Sequence, residues 1–258
     1  MIALFLIASS WAVEPVIESV ASGQINWTTM ELEITSRSNR TIGAWKDVRI
    51  QEQDALERLK PLMDDAARQV QYDPERTAGD LLSSNESGPT AKVARRLTDG
   101  LASWRIRETR YLSNGGVEMD AVLELQRWLR PMFLDGVKPS VVYNSDNGTT
   151  GVLIDARQLS FQPCMAPEVH TDDGAQLIHP GAVRSDVLRV RGPVAYVQDP
   201  ADPLAVQRAG QHPFFVTAVS SKQGCVLTLS PADSKLLSSN PGFAKVVAAA
   251  KVVLVVNP

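Results

Sequence analysis

The sequence predicts an α+β protein of two small domains, with helices packed on an antiparallel sheet in the first and a mixed sheet in the second. Three observations carry this. In the first half, the apolar period switches from two to three-and-four and back again. A stretch rich in Pro, Ser, Asn, Gly and Thr, residues 138–150 (KPSVVYNSDNGTT), then interrupts the pattern as a linker would. Beyond it, short apolar runs alternate with short capped helices. The first domain is placed at residues 23–135 and the second at 149–258.

The chain opens on an apolar run, residues 1–8 (MIALFLIA), of about signal-peptide length. Ser10-Trp11-Ala12 follows, with small residues flanking Trp11 as at a cleavage site. Residues 1–12 are therefore read as a signal peptide, although no Lys or Arg precedes the run. The alternative is a buried N-terminal strand or helix end. The run is far short of the ~20 residues that span a bilayer, and no later run reaches that length. No transmembrane segment is expected after cleavage. No Cys follows the run, so no lipid anchor is expected either.

Residues 25–35 (INWTTMELEIT) read as one half-buried strand, because Met30, Leu32 and Ile34 alternate with Glu31 and Glu33. Residues 45–70 read as a long amphipathic helix. Ala55, Leu56, Leu59, Leu62, Met63, Ala66, Ala67 and Val70 form its apolar stripe, and Pro61 is expected to kink or split it. Residues 71–89 read as loop with a short helical turn, and 90–101 as helix. A hairpin follows, with strands at 104–112 and 117–125 turning at Asn114-Gly115. Residues 128–133 close the domain on apolar side chains.

In the second half, strands are expected at 152–156, 166–171, 175–178, 194–197, 214–219 and 225–229. Asp202-Pro203 opens a helix that Gly210 ends, and Ser230-Pro231-Ala232-Asp233 caps another. Residues 251–256 (KVVLVV) are apolar on both faces and belong in the middle of a sheet.

The formal net charge is -3, with basic and acidic residues interleaved, so no basic stripe invites nucleic acid. The candidates for chemistry are few. His170 and His179 flank the Asp172-Asp173-Gly174 turn, where Glu168, Asp172 or Asp173 could complete a metal site, and His212 reads as a loop residue. Asp155 and Arg157 end a strand and read as an ion pair. Glu118, Asp120 and Glu124 share a strand face, where Arg105, Arg107 and Arg110 on the partner strand are expected to neutralise them. Phosphate-loop, dinucleotide, nucleophile-elbow and HExxH motifs are absent. No cofactor, metal or catalytic residue is therefore assigned. Cys164 and Cys225 leave two alternatives: a disulfide, or two separate buried thiols.

The opening strand with Asn26-Trp27, the long Ala-containing helix and the strand–Asn-Gly–strand ending in VEMDAVLEL resemble the LPP20-type domain of bacterial envelope proteins over residues 23–133. That family includes flagellar outer-membrane lipoproteins and motor-assembly proteins. Many of its members carry a lipid-modified Cys at the mature N-terminus, which this sequence lacks. The second half is similar to a domain of uncharacterised exported bacterial proteins, on TGVLIDAR at 150–157, PCMAP at 163–167 and Asp172-Asp173-Gly174. The resemblance implies a non-catalytic periplasmic protein of the cell envelope. It would serve structure or assembly through contacts with other envelope or flagellar proteins, with homo-oligomerisation open. The rival readings are a ligand- or glycan-binding module with its site between the domains, and a hydrolase built on Asp155, His170 and nearby carboxylates.

Overall fold

The computed structural model describes residues 14–39, 47–83, 89–133, 148–222 and 224–257. The signal-peptide reading and most of the linker fall outside the described residues. The α+β prediction holds, with two sheets in two domains among the described residues.

The first sheet contains β1 (Ile17–Val20), β2 (Gly23–Asn26), β3 (Glu31–Arg37), β4 (Arg105–Tyr111) and β5 (Val117–Glu124) in the order β1-β2-β3-β5-β4. All its pairings are antiparallel. Its inner face packs against α1 (Val48–Gln69), followed by α2 (Ala78–Ser83) and α3 (Pro89–Leu101). After β5 the chain turns into α4 (Leu125–Trp128) and a 3-10 turn at Arg130–Phe133.

Two expectations need correction here. Residues 25–35 are not one strand: β2 ends at Asn26, residues 27–30 turn, and β3 starts at Glu31. No Gly or Pro marks this turn. The Asn26 side chain accepts from the Thr29 amide at 3.0 Å, and Met30 takes a positive φ of 57°. Second, Pro61 does not split the helix, since α1 runs unbroken over 22 residues. Pro61 lies on the exposed side, so the helix carbonyl it cannot engage is open to water. The predicted stripe is the buried face, with Ala55, Leu59, Met63, Ala66 and Ala67 all inside.

The second sheet contains β6 (Val152–Asp155), β7 (Glu168–His170), β8 (Gln176–Ile178), β9 (Ala195–Val197), β10 (Phe214–Lys222), β11 (Val226–Leu229) and β12 (Val252–Val255). Their order is β8-β7-β11-β10-β6-β12-β9. It is mixed: β6 pairs in parallel with β10 and β12, whereas β10 and β11 are antiparallel. Apolar on both faces, β12 is wholly buried between β6 and β9.

Among the described residues, four α-helices accompany this sheet: α5 (Ser185–Arg191), α6 (Pro203–Ala209), α7 (Pro231–Ser238) and α8 (Phe243–Ala248). The α6 signals act as the sequence specified. Asp202 Oδ1 accepts from the Leu204 amide at 2.7 Å, and Gly210 ends the helix with φ 81°. Ala205 and Ala209 of α6 cover Leu153, Val253, Val255, Ala195 and Val197 on one face of the sheet.

The opposite face meets the first domain. One continuous apolar core holds Trp27, Leu123 and Trp128 from the first domain together with Ile154, Tyr196 and Leu254 from the second. Backbone hydrogen bonds also cross, from the Met165 amide to the Gln71 carbonyl (3.1 Å) and from the Ala166 amide to the Tyr72 carbonyl (2.7 Å). The two domains should therefore unfold together. Trp27→Ala is expected to cost about 3–5 kcal/mol, the usual range for emptying a buried aromatic site. Calorimetry should record one transition moved downward. Two transitions, with only one moved, would show that the shared core does not couple the domains.

Candidate functional site

Asp155, Glu118, Asp120 and His170 are each held by a structural partner. Arg157 holds Asp155 through Nε at 2.9 Å and Nη2 at 2.6 Å, and this hydrogen bonding keeps the Asp155 carboxyl below its ordinary range. Arg110 donates to Glu118 (2.6 Å) and Asp120 (2.9 Å), and Arg37 also pairs with Glu118. Both carboxyls are thereby held low, chiefly by Arg110. The expected neutralisation from β4 needs one correction. Arg107 sits at a register shift in β4 and reaches Glu31 and Glu33 of β3 instead. Arg105 lies 3.8 Å from Glu31 and from Glu124.

His170 Nε2 lies 2.6 Å from Glu168 Oε2, which also accepts from Gln176 at 2.8 Å. His179 leads into a 3-10 turn at Pro180–Ala182, and the His212 carbonyl accepts from the Thr150 amide. No group of three or more His, Cys, Asp or Glu that could hold a metal occurs among the described residues. Asp155 and His170 do not converge. Their strands, β6 and β7, are three positions apart in the sheet, or about 14 Å at the usual ~4.8 Å spacing.

Cys164 and Cys225 are joined in a disulfide, with Cα atoms 6.0 Å apart and both residues fully buried. Tyr196 completes this corner. Its hydroxyl donates to the Cys164 carbonyl at 2.7 Å and accepts from the Cys164 amide at 3.2 Å.

The arrangement with unmet chemistry lies at the junction of the domains. Residues 27–30 press against edge strand β9, where the Trp27 and Tyr196 rings meet edge-on with centroids 5.8 Å apart. The Thr28 hydroxyl donates to the Tyr196 carbonyl at 3.1 Å. From α4, the Gln126 side-chain amide donates to the Leu188 carbonyl of α5 at 2.7 Å. From α6, Arg208 donates through Nη1 to the Arg191 carbonyl (2.9 Å) and through Nη2 to the Gly192 carbonyl (2.8 Å). Two elements, α4 and α6, thus close on the C-terminal end of α5, while residues 27–30 close on β9. They border a cavity of about 300 Å³, with Trp27, Thr28, Met30, Arg191, Leu204 and Gln207 also in its wall.

Two side-chain atoms of residues that line the cavity are themselves wholly enclosed, without a partner among the described residues: Arg208 Nε and Gln126 Oε1. The identity of the second is fixed by chemistry. A carbonyl can only accept, so the Gln126 atom 2.7 Å from the Leu188 oxygen must be the NH₂ group. Arg208 is 8% exposed, and burial, helped by the neighbouring Arg191 charge, pushes its pKa down to about 10. It remains a cation at neutral pH. Among the described residues, the cavity wall contains no carboxylate. A larger hollow of about 440 Å³ on the outer face of the first sheet differs in kind, because its Gln24, Glu33, Arg107 and Asp120 are all paired with one another or with neighbours.

Sequence reasoning missed Arg208 and Gln126, which lie in different domains. One signal was available. Helical spacing puts Arg208 on the same face as Ala205 and Ala209, so a cation falls on the buried stripe of α6.

Residues 151–258 match the family model of the second domain of Treponema pallidum Tp0624. The match begins one residue before β6 and covers the mixed-sheet domain, so the bacterial affinity expected for the second half holds. No curated protein matches the sequence significantly.

Two outcomes test this description. A Cβ on Gly192 would lie 2.7 Å from Gln126 Oε1, at a φ of 67° that L-residues rarely adopt. Gly192→Ala should therefore destabilise the protein by about 1–3 kcal/mol in chemical denaturation. Separately, Asp155, Glu118 and Asp120 bind protons less tightly folded than unfolded. Their stabilising contribution is full above the ordinary carboxylate range, about pH 4–5, and is lost as pH falls through the depressed values. NMR titration should find Asp155 below the ordinary aspartate value in the wild type and back near it in Arg157→Gln. An unchanged value in the variant would contradict the assigned cause.

Proposed function

We propose that the protein is a non-catalytic structural or assembly component of the bacterial cell envelope, exported to the periplasm. Its first domain would be of LPP20 type, and the flagellum is one candidate machine for it to serve. The observation that carries this reading is the buried Cys164–Cys225 disulfide, because such bonds form and persist in oxidising compartments. The apolar run at residues 1–8 supports the same address, and the similarity of residues 151–258 to a Treponema pallidum domain supports a bacterial setting. The non-catalytic part is supported by the pairing of Asp155, His170, Glu118 and Asp120 with structural partners. The shared core supports action as one connected body that contacts other envelope proteins. The ligand-binding reading is favoured by a separate observation, the cavity at the junction of the domains with Arg191 and Arg208 in its wall.

Fractionation of the native organism, with thiol labelling under non-reducing conditions, tests the proposal. The protein should appear in the periplasmic fraction, cleaved after Ala12, with neither cysteine labelled. Reduction should then lower its stability by about 4 kcal/mol, the loop-closure value for a separation of 61 residues. Recovery of the uncleaved chain from the cytoplasm with both thiols reactive would overturn it.

A further inference from the structure

We propose that the outer edge of β4 is a self-association surface, on which two copies of this chain join their first sheets through an antiparallel β4–β4 pair centred on Thr109. β4 ends the first sheet, and among the described residues no strand pairs with its other side. Its backbone direction is fixed at the hairpin. The Leu112 amide donates to the Gly116 carbonyl across the turn at 2.9 Å. The Val117 carbonyl, opposite Tyr111, turns away from β4 to accept from the Ser38 amide at 2.9 Å. Because the bonds of an antiparallel ladder alternate, Glu108 and Arg110 direct their amides and carbonyls at β5, whereas Thr109 and Tyr111 direct theirs outward. An unpaired row of this kind is a template for another strand.

Charge selects the occupant. Outward groups must meet outward groups, so a two-fold axis between copies passes through a residue rather than between two. Through Glu108 it sets that carboxylate against its own copy, and through Arg110 it sets two guanidinium groups together. Like charges directly opposite are destabilising. Through Tyr111 it runs off the end of the strand. Through Thr109 it puts Glu108 opposite Arg110 of the second copy, and does so twice. The register shift between Ile106 and Glu108 ends the regular ladder on the other side. Charges and a bulge commonly blunt an edge. Here they exclude the neighbouring registers and leave one open. An unrelated strand has no reason to carry the matching pattern, whereas a second copy carries it by symmetry.

An apolar strip supports the same pairing. Ile106 stands opposite Ala121 and Tyr111 opposite Val117, so both lie on the inner face of the sheet. Ala121 and Val117 are buried there, yet Ile106 is 41% exposed and Tyr111 62%. The reason is that α1 packs mainly on β3 and β5, one strand short of them. A two-fold axis perpendicular to the sheet keeps both inner faces on one side. The Thr109 register then brings Ile106 of each copy beside Tyr111 of the other, and each covers apolar surface that the single chain leaves open.

Analytical ultracentrifugation should follow the full chain from about 1 μM to about 500 μM, since a single strand pair lies at the weak end of protein interfaces. The expected result is a reversible monomer–dimer equilibrium. Glu108 is 58% exposed and its bond within the fold is to Arg110 of its own strand, so Glu108→Lys should fold. It turns two attractive pairs into two repulsive ones and should weaken the dimer about tenfold or more. Cysteine variants read the register. In a bonded antiparallel pair the Cα atoms lie about 5.5 Å apart, within disulfide reach, so Thr109→Cys should cross-link under mild oxidation. Tyr111→Cys places its two thiols about 13 Å apart along the strands and should stay uncross-linked. These two variants decide the matter even where the lysine variant proves unstable. A monomer at every concentration overturns the proposal, whether or not a strand of another protein takes the edge. So does a dimer that a folded Glu108→Lys leaves intact, or a Thr109→Cys variant that cross-links no better than Tyr111→Cys. None of these results depends on where in the cell the protein resides.

Discussion

The edge-on contact between Trp27 and Tyr196 is the interaction on which the rest of the molecule depends. Each ring is fully buried, and each anchors its polar tip in its own domain. The Trp27 indole donates to Glu18 of β1 at 2.7 Å, and the Tyr196 hydroxyl is held by the Cys164 backbone. Cys164 is in turn bonded to Cys225, at the start of β11. A single path therefore runs from the first sheet, through two aromatic rings, to the covalent cross-link of the second. Burial raises the Glu18 carboxyl above its ordinary range against the lowering effect of the indole bond, so desolvation reaches the outer end of this path. Such a contact holds the domains together by apolar burial, while the polar tips fix how the rings are oriented.

Much of this fold was legible because its signals are local. Asp202-Pro203 and Gly210 bracket α6 through caps that need only their own neighbours, and Val252 to Val255 declare a central strand by being apolar on both faces. Asn114-Gly115 fixed the β4–β5 turn for the same reason. The failures are also physical. The alternation of Met30, Leu32 and Ile34 with Glu31 and Glu33 suggested one strand from residue 25, yet Trp27 and Thr28 leave the sheet to meet Tyr196, a partner 168 positions away from Thr28. Tertiary contact overrode the local period there, and Met30 accepted a positive φ as part of the turn. Pro61 misled in the opposite sense, because a proline on the exposed side of a long helix removes one hydrogen bond whose acceptor water can serve. The seven-residue α5 offered too few turns for its period to stand out.

The candidate site was illegible for a different reason. Its wall is drawn from residues 27–30, α4, α5 and α6, and no motif marks the residues that meet there. Only the buried position of Arg208 between Ala205 and Ala209 hinted at it. The residues that did look chemical, such as Asp155, Glu118, Asp120 and His170, were conspicuous because they are charged or titratable and close in sequence to their partners. That same closeness is what neutralises them.

Charge is thus handled in two ways within one molecule. On the outer face of the first sheet, Arg37, Arg107 and Arg110 interleave with Glu31, Glu33, Glu118 and Asp120, and each cation meets a carboxylate. Pairs so exposed contribute little individually to stability, and the lattice serves mainly to keep an open sheet face solvated. Arg208 is the contrast. Its cation is buried, its partners are carbonyl dipoles, and an exposed arginine stands near it rather than an acid. A fold that needed only to cap the end of α5 could use a neutral donor at much lower desolvation cost. The guanidinium does what a single neutral donor could not: it spans two successive carbonyls, of Arg191 and Gly192, and so fixes the point where α5 ends and the chain turns into the sheet.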